Sequence, residues 1–84
     1  MENAMIQLTD KEILKASMKQ RRMTQVTLAE KLGIRQNSLS ANMSRDRMSL
    51  SSFAKILDAL GYDVLIQDRE SGELVCQLEV ESER

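Results

Sequence analysis

The sequence contains no histidine, no proline and no tryptophan, and its only cysteine is Cys76. A chain without histidine has no side chain that ordinarily titrates near neutral pH, and it lacks a common zinc ligand. One cysteine cannot form a disulfide within the chain, and it offers no cysteine cluster for a metal ion. The sequence therefore argues against an enzyme, and we expect no cofactor and no metal site.

Aromatic residues and long apolar runs are also scarce. Phe53 and Tyr62 are the only aromatic residues, so the core must be aliphatic and rich in methionine, of which the chain has six. No apolar stretch approaches the roughly 18 residues of a membrane span, and the N-terminus lacks the basic and apolar regions of a signal peptide. We expect a cytoplasmic protein with no membrane partner. Its 84 residues predict one domain, too small for an obvious pocket, so no small-molecule ligand is expected.

The net charge of −1 conceals an uneven distribution of charged residues. Residues 11–47 have nine basic and three acidic side chains, a net charge of +6. Residues 48–84 have three basic and eight acidic side chains, a net charge of −5. One half of the chain could therefore face phosphates while the other faces away. On charge alone, two solvated faces of a nearly neutral protein explain the pattern equally well.

Apolar residues at helical spacing predict four helices between residues 9 and 61. Thr9 to Glu12 fits a capping box, so the first helix begins there and runs to about Arg21. Thr24 is a candidate N-cap for a short second helix. That helix ends before Gly33, because glycine readily adopts the left-handed conformation that closes a helix.

The third helix is predicted from about Gln36 to Met43. Leu39 is its expected buried residue, and Ile34 is expected to pack into the core across the preceding turn. After a polar loop, Ser49 can cap a fourth helix with a broad apolar face. Gly61 ends that helix.

After Gly61 the apolar period changes from 3.6 to 2, which predicts a β-hairpin over residues 62–80 with its turn near Glu70-Ser71-Gly72 and a polar tail over 81–84. Its apolar face needs a cover, which the fourth helix or a second copy of the chain could provide. A monomer with an uncovered hairpin is the remaining alternative. The residues predicted to form a dimer interface are Tyr62, Val64, Ile66, Leu74, Cys76, Leu78 and Val80. Within the strand, Cys76 is expected to be a small buried apolar residue.

The second and third helices, joined by a tight glycine turn, are typical of a helix-turn-helix. Outward positions of the third helix carry small polar side chains. Glutamine and asparagine can pair with adenine, serine with several base edges, and alanine with a thymine methyl group. The predicted base-contacting residues are Gln36, Asn37, Ser40 and Ala41. The alternative is a solvated helix face, since these residue types are common on surfaces.

The order of residues across these helices resembles the Xre/Cro-type helix-turn-helix regulators. The resemblance covers about residues 13–60. Its motifs are Thr24-Gln25, Leu28-Ala29, Leu32-Gly33, Gln36, Leu39-Ser40 and the apolar stripe from Phe53 to Leu60. It implies a mainly α, four-helix, lambda-repressor-like domain, here followed by the C-terminal β-hairpin. It also implies operator binding, usually as a dimer on a palindrome.

The resemblance assigns DNA contacts by position. It implies that Gln25 holds a backbone phosphate, that Gln36 and Asn37 are the leading base-contacting residues, and that Ala41 lies over bases one turn later. Arg35 stands where the family usually has a serine or threonine cap, and it is a candidate phosphate contact instead. With the basic residues around the motif, the predicted phosphate contacts are Lys19, Arg21, Arg22, Gln25, Arg35, Ser44 and Arg45.

We therefore predict a sequence-specific transcriptional regulator, most simply a repressor, whose partners are double-stranded DNA and a second copy of the chain. The terminal hairpin also resembles HipB-like antitoxins, in which a strand pairs across the dimer. An antitoxin that binds both DNA and a toxin protein is thus the second hypothesis. A non-DNA adaptor that keeps the fold for protein contacts is the third.

Overall fold

The computed structural model describes residues 6–80, so the tail predicted over residues 81–84 lies outside the described residues. Within that range, none of the helices has the length and apolar character needed to span a bilayer. The elements in chain order are α1 (Asp10–Arg21), α2 (Gln25–Leu32), α3 (Gln36–Ser44), α4 (Leu50–Ala59), β1 (Leu65–Gln67) and β2 (Leu74–Gln77). This order confirms the predicted mainly α fold with a C-terminal hairpin.

Three of the four helices begin at the predicted caps. The Thr9 hydroxyl accepts a hydrogen bond from the Glu12 N–H at 3.2 Å, and the Glu12 carboxylate accepts one from the Thr9 N–H at 2.9 Å. Thr24 and Ser49 cap α2 and α4 by accepting from the N–H three residues further on. These bonds satisfy N–H groups that have no partner inside a helix.

The first two helices end in the left-handed backbone region. Gly33 (φ 72°) closes α2 as predicted, and the Ile34 N–H donates to the Ala29 carbonyl at 3.0 Å. Arg22 (φ 54°) closes α1, and its N–H donates to the Lys19 carbonyl at 3.1 Å. A non-glycine residue rarely adopts this conformation. The end of α1 therefore carries a backbone strain on the order of 1 kcal/mol.

The core lies entirely among the helices. Each of the first three helices contributes one fully buried leucine, and α4 with the residue after it contributes three further apolar side chains. The buried cluster consists of Leu14, Leu28, Ala29, Leu39, Ile56, Leu57 and Leu60. Ile34 does not join it, so that prediction is wrong: its side chain is 41% exposed. The bond from its N–H to Ala29 holds Ile34 in the surface turn.

The two strands pair antiparallel, with Leu65 opposite Gln77 and Ile66 opposite Cys76. A β-bulge between Ile66 and Gln67 shifts the register, so that Gln67 lies opposite Leu74. The bulge breaks the regular alternation, and the strands are therefore shorter than the pattern over residues 62–80 predicts. Residues directly opposite one another share a face of the sheet, which places Ile66 and Cys76 on the same side.

The hairpin contacts the helices at its base and projects beyond them. Tyr62 and Val64 are half-buried against the core. Further out, Ile66 is 51% exposed, Leu74 is 62% exposed, and Cys76 is exposed rather than buried as predicted. The molecule measures 44 × 25 × 24 Å, and its radius of gyration of 14.1 Å exceeds the roughly 12 Å of a compact chain this long. Within one chain, α4 leaves this apolar face uncovered.

Candidate nucleic-acid interface

One side of α3 is buried and the other is open to solvent. Leu39 fixes the buried side, because its side chain is fully enclosed by the core. Gln36, Asn37 and Ala41 are exposed, and Ser40 is half-buried. Residues one turn apart lie on the same face of a helix. The structure therefore brings the four predicted base-contacting residues together on one accessible surface, which we call the α3 face (Gln36, Asn37, Ser40 and Ala41).

Gln25 connects the start of α2 to this surface. The Ser40 hydroxyl donates a hydrogen bond to Gln25 Oε1. This bond occupies the oxygen end of the Gln25 amide, so its NH2 group keeps two donors for another acceptor. The same bond uses the only proton of the Ser40 hydroxyl. The Ser40 oxygen can therefore only accept a hydrogen bond from a further partner. The geometry suits a phosphate at Gln25 and a base amino group at Ser40.

An open groove runs between α1, the start of α2 and the end of α3. Lys11, Lys15, Gln25 and Ser44 contribute to its lining. Lys11 Nζ also donates to the Ser44 carbonyl at 3.2 Å, which places a positive charge at the negative end of the α3 dipole. The Ser44 hydroxyl donates within its own helix, to the Ser40 carbonyl at 2.8 Å.

Lys11 and Lys15 are absent from the phosphate contacts predicted from sequence. A signal for them was present, because Lys11, Lys15 and Lys19 are spaced four residues apart along α1. That spacing gives one helix a basic stripe. The groove shows what spacing alone could not, namely that Lys11 and Lys15 adjoin Gln25 and the end of α3.

Two other exposed basic residues bond carbonyls of the same chain. The Arg21 guanidinium donates to the Gly61 carbonyl at 3.3 Å, and it lies over the Tyr62 ring at 4.2 Å from the centroid. Lys31 Nζ donates to the Ala59 carbonyl at 3.2 Å. Both carbonyls lie at the end of α4, which has no basic residue in its own last turn. The charge of +6 over residues 11–47 is therefore not all directed at a partner.

The remaining predicted phosphate contacts lie at helix ends and are exposed to solvent. Arg35 is the N-cap residue of α3, and its side chain makes no capping bond, because an arginine stands where the family usually has a serine or threonine. These basic residues are Lys19, Arg22, Arg35 and Arg45. Among residues 6–80 there is no group of three or more metal-ligating side chains.

Comparison with known proteins identifies the family. Residues 14–65 match the model of the Cro/C1-type HTH DNA-binding domain, which covers α1 from Leu14 through the first residue of β1. No curated protein and no solved structure matched the chain. The matched segment contains the whole helix-turn-helix and exceeds half of the 84 residues. The chain belongs to the family of Cro/C1-type helix-turn-helix DNA-binding domains.

Proposed function

We propose that the protein is a sequence-specific transcriptional regulator that binds a palindromic operator as a dimer, most simply as a repressor that blocks polymerase. The observation that carries this proposal is the α3 face, where Gln36, Asn37 and Ala41 are exposed side by side. The fully buried Leu39 holds the opposite side of the helix against the core. A rigid helix with small polar side chains on its outer face fits a major groove about 12 Å wide.

Each residue of the α3 face has a chemical role in this proposal. The amides of Gln36 and Asn37 can each give and accept one hydrogen bond, which matches the N6 and N7 atoms of adenine. The methyl group of Ala41 can contact the methyl group of thymine. Ser40 accepts a hydrogen bond from a base amino group, because its own hydroxyl proton is donated to Gln25.

Phosphate contacts surround this face and hold it in register. Gln25 offers its free NH2 group, and the groove beside it offers Lys11 and Lys15. The proposed phosphate contacts from sequence that remain available are Lys19, Arg22, Gln25, Arg35, Ser44 and Arg45. Ser44 must turn its hydroxyl away from the Ser40 carbonyl in order to donate. Arg21 is not among them, because its guanidinium is engaged by both the Gly61 carbonyl and the Tyr62 ring, whereas the Lys11 ammonium makes one bond, to the Ser44 carbonyl, and keeps two donors.

The hairpin supports the dimeric part of the proposal. Ile66, Leu74 and Cys76 are exposed in the single chain, and a two-stranded hairpin is at best marginally stable in water. A second hairpin placed against this face would bury Ile66, Leu74 and Cys76, whereas Tyr62 and Val64 are already half-buried against the chain's own core. Such a dimer can place two α3 helices about 34 Å apart, one turn of DNA.

Selection of bound duplexes from a random DNA library tests the proposed function. The purified protein is used at near-physiological salt, because phosphate contacts make affinity depend on salt. We expect enrichment of a palindrome with half-sites about 10 base pairs apart. Enrichment of a single half-site would contradict the dimer, and the absence of any enriched sequence would contradict the regulator.

The same exposed hairpin favours a second candidate, an antitoxin that binds both DNA and a toxin protein. The hairpin belongs to the half of the chain with a net charge of −5, so a basic protein surface would complement it.

Purification of the tagged protein from its native cells separates the two candidates. A stoichiometric protein partner that leaves DNA binding intact would favour the antitoxin. The absence of such a partner would leave the regulator as the better proposal. A protein partner, together with a DNA affinity that changes neither with the DNA sequence nor with the salt concentration, would favour an adaptor.

A further inference from the structure

The hairpin is joined to the helices through a small cluster that the proposed DNA contacts do not use. It consists of Arg21, the last residue of α1, with Gly61 and Tyr62, the second and third residues beyond α4. We propose that Arg21 is a positioning residue: it fixes the direction in which the hairpin leaves the helices, and thereby the half-site spacing that a dimer accepts. The spacing part of this inference rests on the proposed function.

The Arg21 guanidinium holds both neighbours at once. Its Nη2 donates to the Gly61 carbonyl at 3.3 Å, and its central carbon Cζ lies over the Tyr62 ring, 4.2 Å from the centroid. Arginine can do both because its guanidinium is planar, with donors in the plane and a face that stacks on aromatic rings. The cluster is thus restrained in two directions, along the carbonyl bond and perpendicular to the ring.

The backbone at this position is restrained as well. Gly61 has φ 89°, a backbone conformation that residues with a side chain rarely adopt. The Tyr62 N–H donates to the Leu57 carbonyl at 2.9 Å. A Cβ at Gly61 would lie 3.6 Å from an Arg21 nitrogen, so the guanidinium packs directly on the turn. The chain therefore leaves α4 along a path fixed by hydrogen bonds on one side and by Arg21 on the other.

Outside this cluster, Val64 is the hairpin residue that packs against the core. Beyond Val64 the strands pack mainly on each other, and their apolar side chains are exposed. The molecule is 44 Å long, so a rotation of about 10° at this cluster moves the end of a lever half that length by about 4 Å. That displacement is close to the rise of one base pair, about 3.4 Å. A small change in hairpin direction would therefore change which half-site spacing fits.

The simpler interpretation is that Arg21 only neutralises the negative end of α4 and stabilises the fold. Lys31 provides the matched control, because it bonds the Ala59 carbonyl at the same helix end, whereas the cation over the Tyr62 ring is Arg21. Stabilisation alone would make Arg21→Gln and Lys31→Gln behave alike. A positioning role would separate them, and Tyr62→Phe, which keeps the ring, would behave like the wild type while Tyr62→Leu would not.

The first measurement is the distance between two spin labels, one at Ser51 on α4 and one at Ser71 in the hairpin turn. Both positions are exposed; they are changed to cysteine in a Cys76→Ser background. Labelled protein is diluted with unlabelled protein so that only distances within one chain are recorded. We expect one narrow distance distribution that broadens or shifts in Arg21→Gln and Tyr62→Leu, and that stays narrow in Lys31→Gln and Tyr62→Phe. An unchanged distribution in Arg21→Gln would overturn the inference, whatever the DNA results.

The second measurement is affinity for a series of operators whose half-sites are separated by one additional base pair at a time. We expect the wild type and Lys31→Gln to prefer one spacing by about tenfold or more, and Arg21→Gln to lose most of that preference. Equal preference in Arg21→Gln and Lys31→Gln would overturn the role in spacing. If labels respond to Arg21→Gln but the wild type binds no operator, the proposed function fails while the role of Arg21 in hairpin direction stands.

Discussion

The helical region and the hairpin use the same residue types in opposite ways. Leu39 in α3 is fully buried, whereas Leu74 in β2 is 62% exposed. Every residue of the buried cluster lies between positions 14 and 60, and none lies in the hairpin. Burial of apolar area is the main force that favours folding. The buried core therefore belongs to the helices, while Ile66, Leu74 and Val75 of the hairpin stay exposed in the single chain.

The largest difference in stability between the two regions is expected from Leu39→Ala. We expect it to lower the free energy of unfolding by about 2–5 kcal/mol, because it leaves a cavity among fully enclosed side chains. The matched variant Leu74→Ala should change the unfolding of the dilute monomer by less than about 0.5 kcal/mol. Urea titration followed by circular dichroism measures both values. Equal losses in the two variants would show that the hairpin belongs to the same cooperative core.

Leu74→Glu tests whether the hairpin forms the dimer interface. Burying the exposed part of one leucine contributes about 1–2 kcal/mol, and a symmetric dimer buries two copies. We expect the dimer dissociation constant to rise by about thirty- to thousandfold, with helical content retained. Leu50→Glu is the control, because Leu50 is also an exposed leucine but lies on α4. Sedimentation equilibrium that shows dimers in both variants would exclude the hairpin as the interface.

Within the helical region, Gln36→Ala and Asn37→Ala separate DNA recognition from folding. Each is expected to weaken binding to the selected operator by about 1–3 kcal/mol, since a bidentate contact with a base is lost. Their melting curves should stay close to that of the wild type, because both side chains are exposed. Ser51→Ala on α4 serves as the exposed control. Operator binding equal to the wild type in both α3 variants would contradict the assignment of the α3 face.

Lys15→Gln asks whether the groove beside Gln25 holds a phosphate. Loss of one phosphate contact should reduce the slope of log affinity against log salt by about 0.9. The reduction should be the same for specific and non-specific DNA, because phosphates carry no base information. Lys55→Gln removes the same charge from an exposed position on α4 and should leave the slope unchanged. Identical slopes for the two variants would place Lys15 outside the interface.

The smallest expected effect is that of Arg22→Gly, in which stability and DNA binding move in opposite directions. Glycine relieves the left-handed strain at φ 54°, so the free energy of unfolding should rise by up to about 1 kcal/mol. The loss of an exposed cation should weaken binding to all DNA sequences alike. Thermal melts and binding titrations measure the two effects. Arg22→Ala, which keeps the strain but removes the charge, should weaken binding without raising stability.

The comparison also explains how far the sequence could predict the structure. The caps at Thr9, Thr24 and Ser49 and the end of α2 at Gly33 follow from residues within a few positions of each other, and they were predicted correctly. The hairpin was also predicted. Its short strands were not, because the bulge at Ile66 and Gln67 depends on how two strands pair.

Contacts between distant segments lie beyond the reach of local patterns. Lys11 bonds a carbonyl 33 positions away, and Arg21 bonds one 40 positions away. From the sequence, Arg21 is indistinguishable from any other basic residue beside the motif. The exposure of Ile34 and Cys76 was likewise mispredicted, because a side chain's hydrophobicity does not determine which surface of the fold it meets.

Because the core is confined to the helices, operator occupancy should depend steeply on the concentration of the protein. A chain that completes its own core can fold before it meets a second copy, so folding and assembly are separate steps. Under the proposed dimer, monomers predominate at low abundance, and operator occupancy then rises with about the square of protein concentration. A small change in the rate of synthesis would therefore produce a disproportionate change in the fraction of occupied operators.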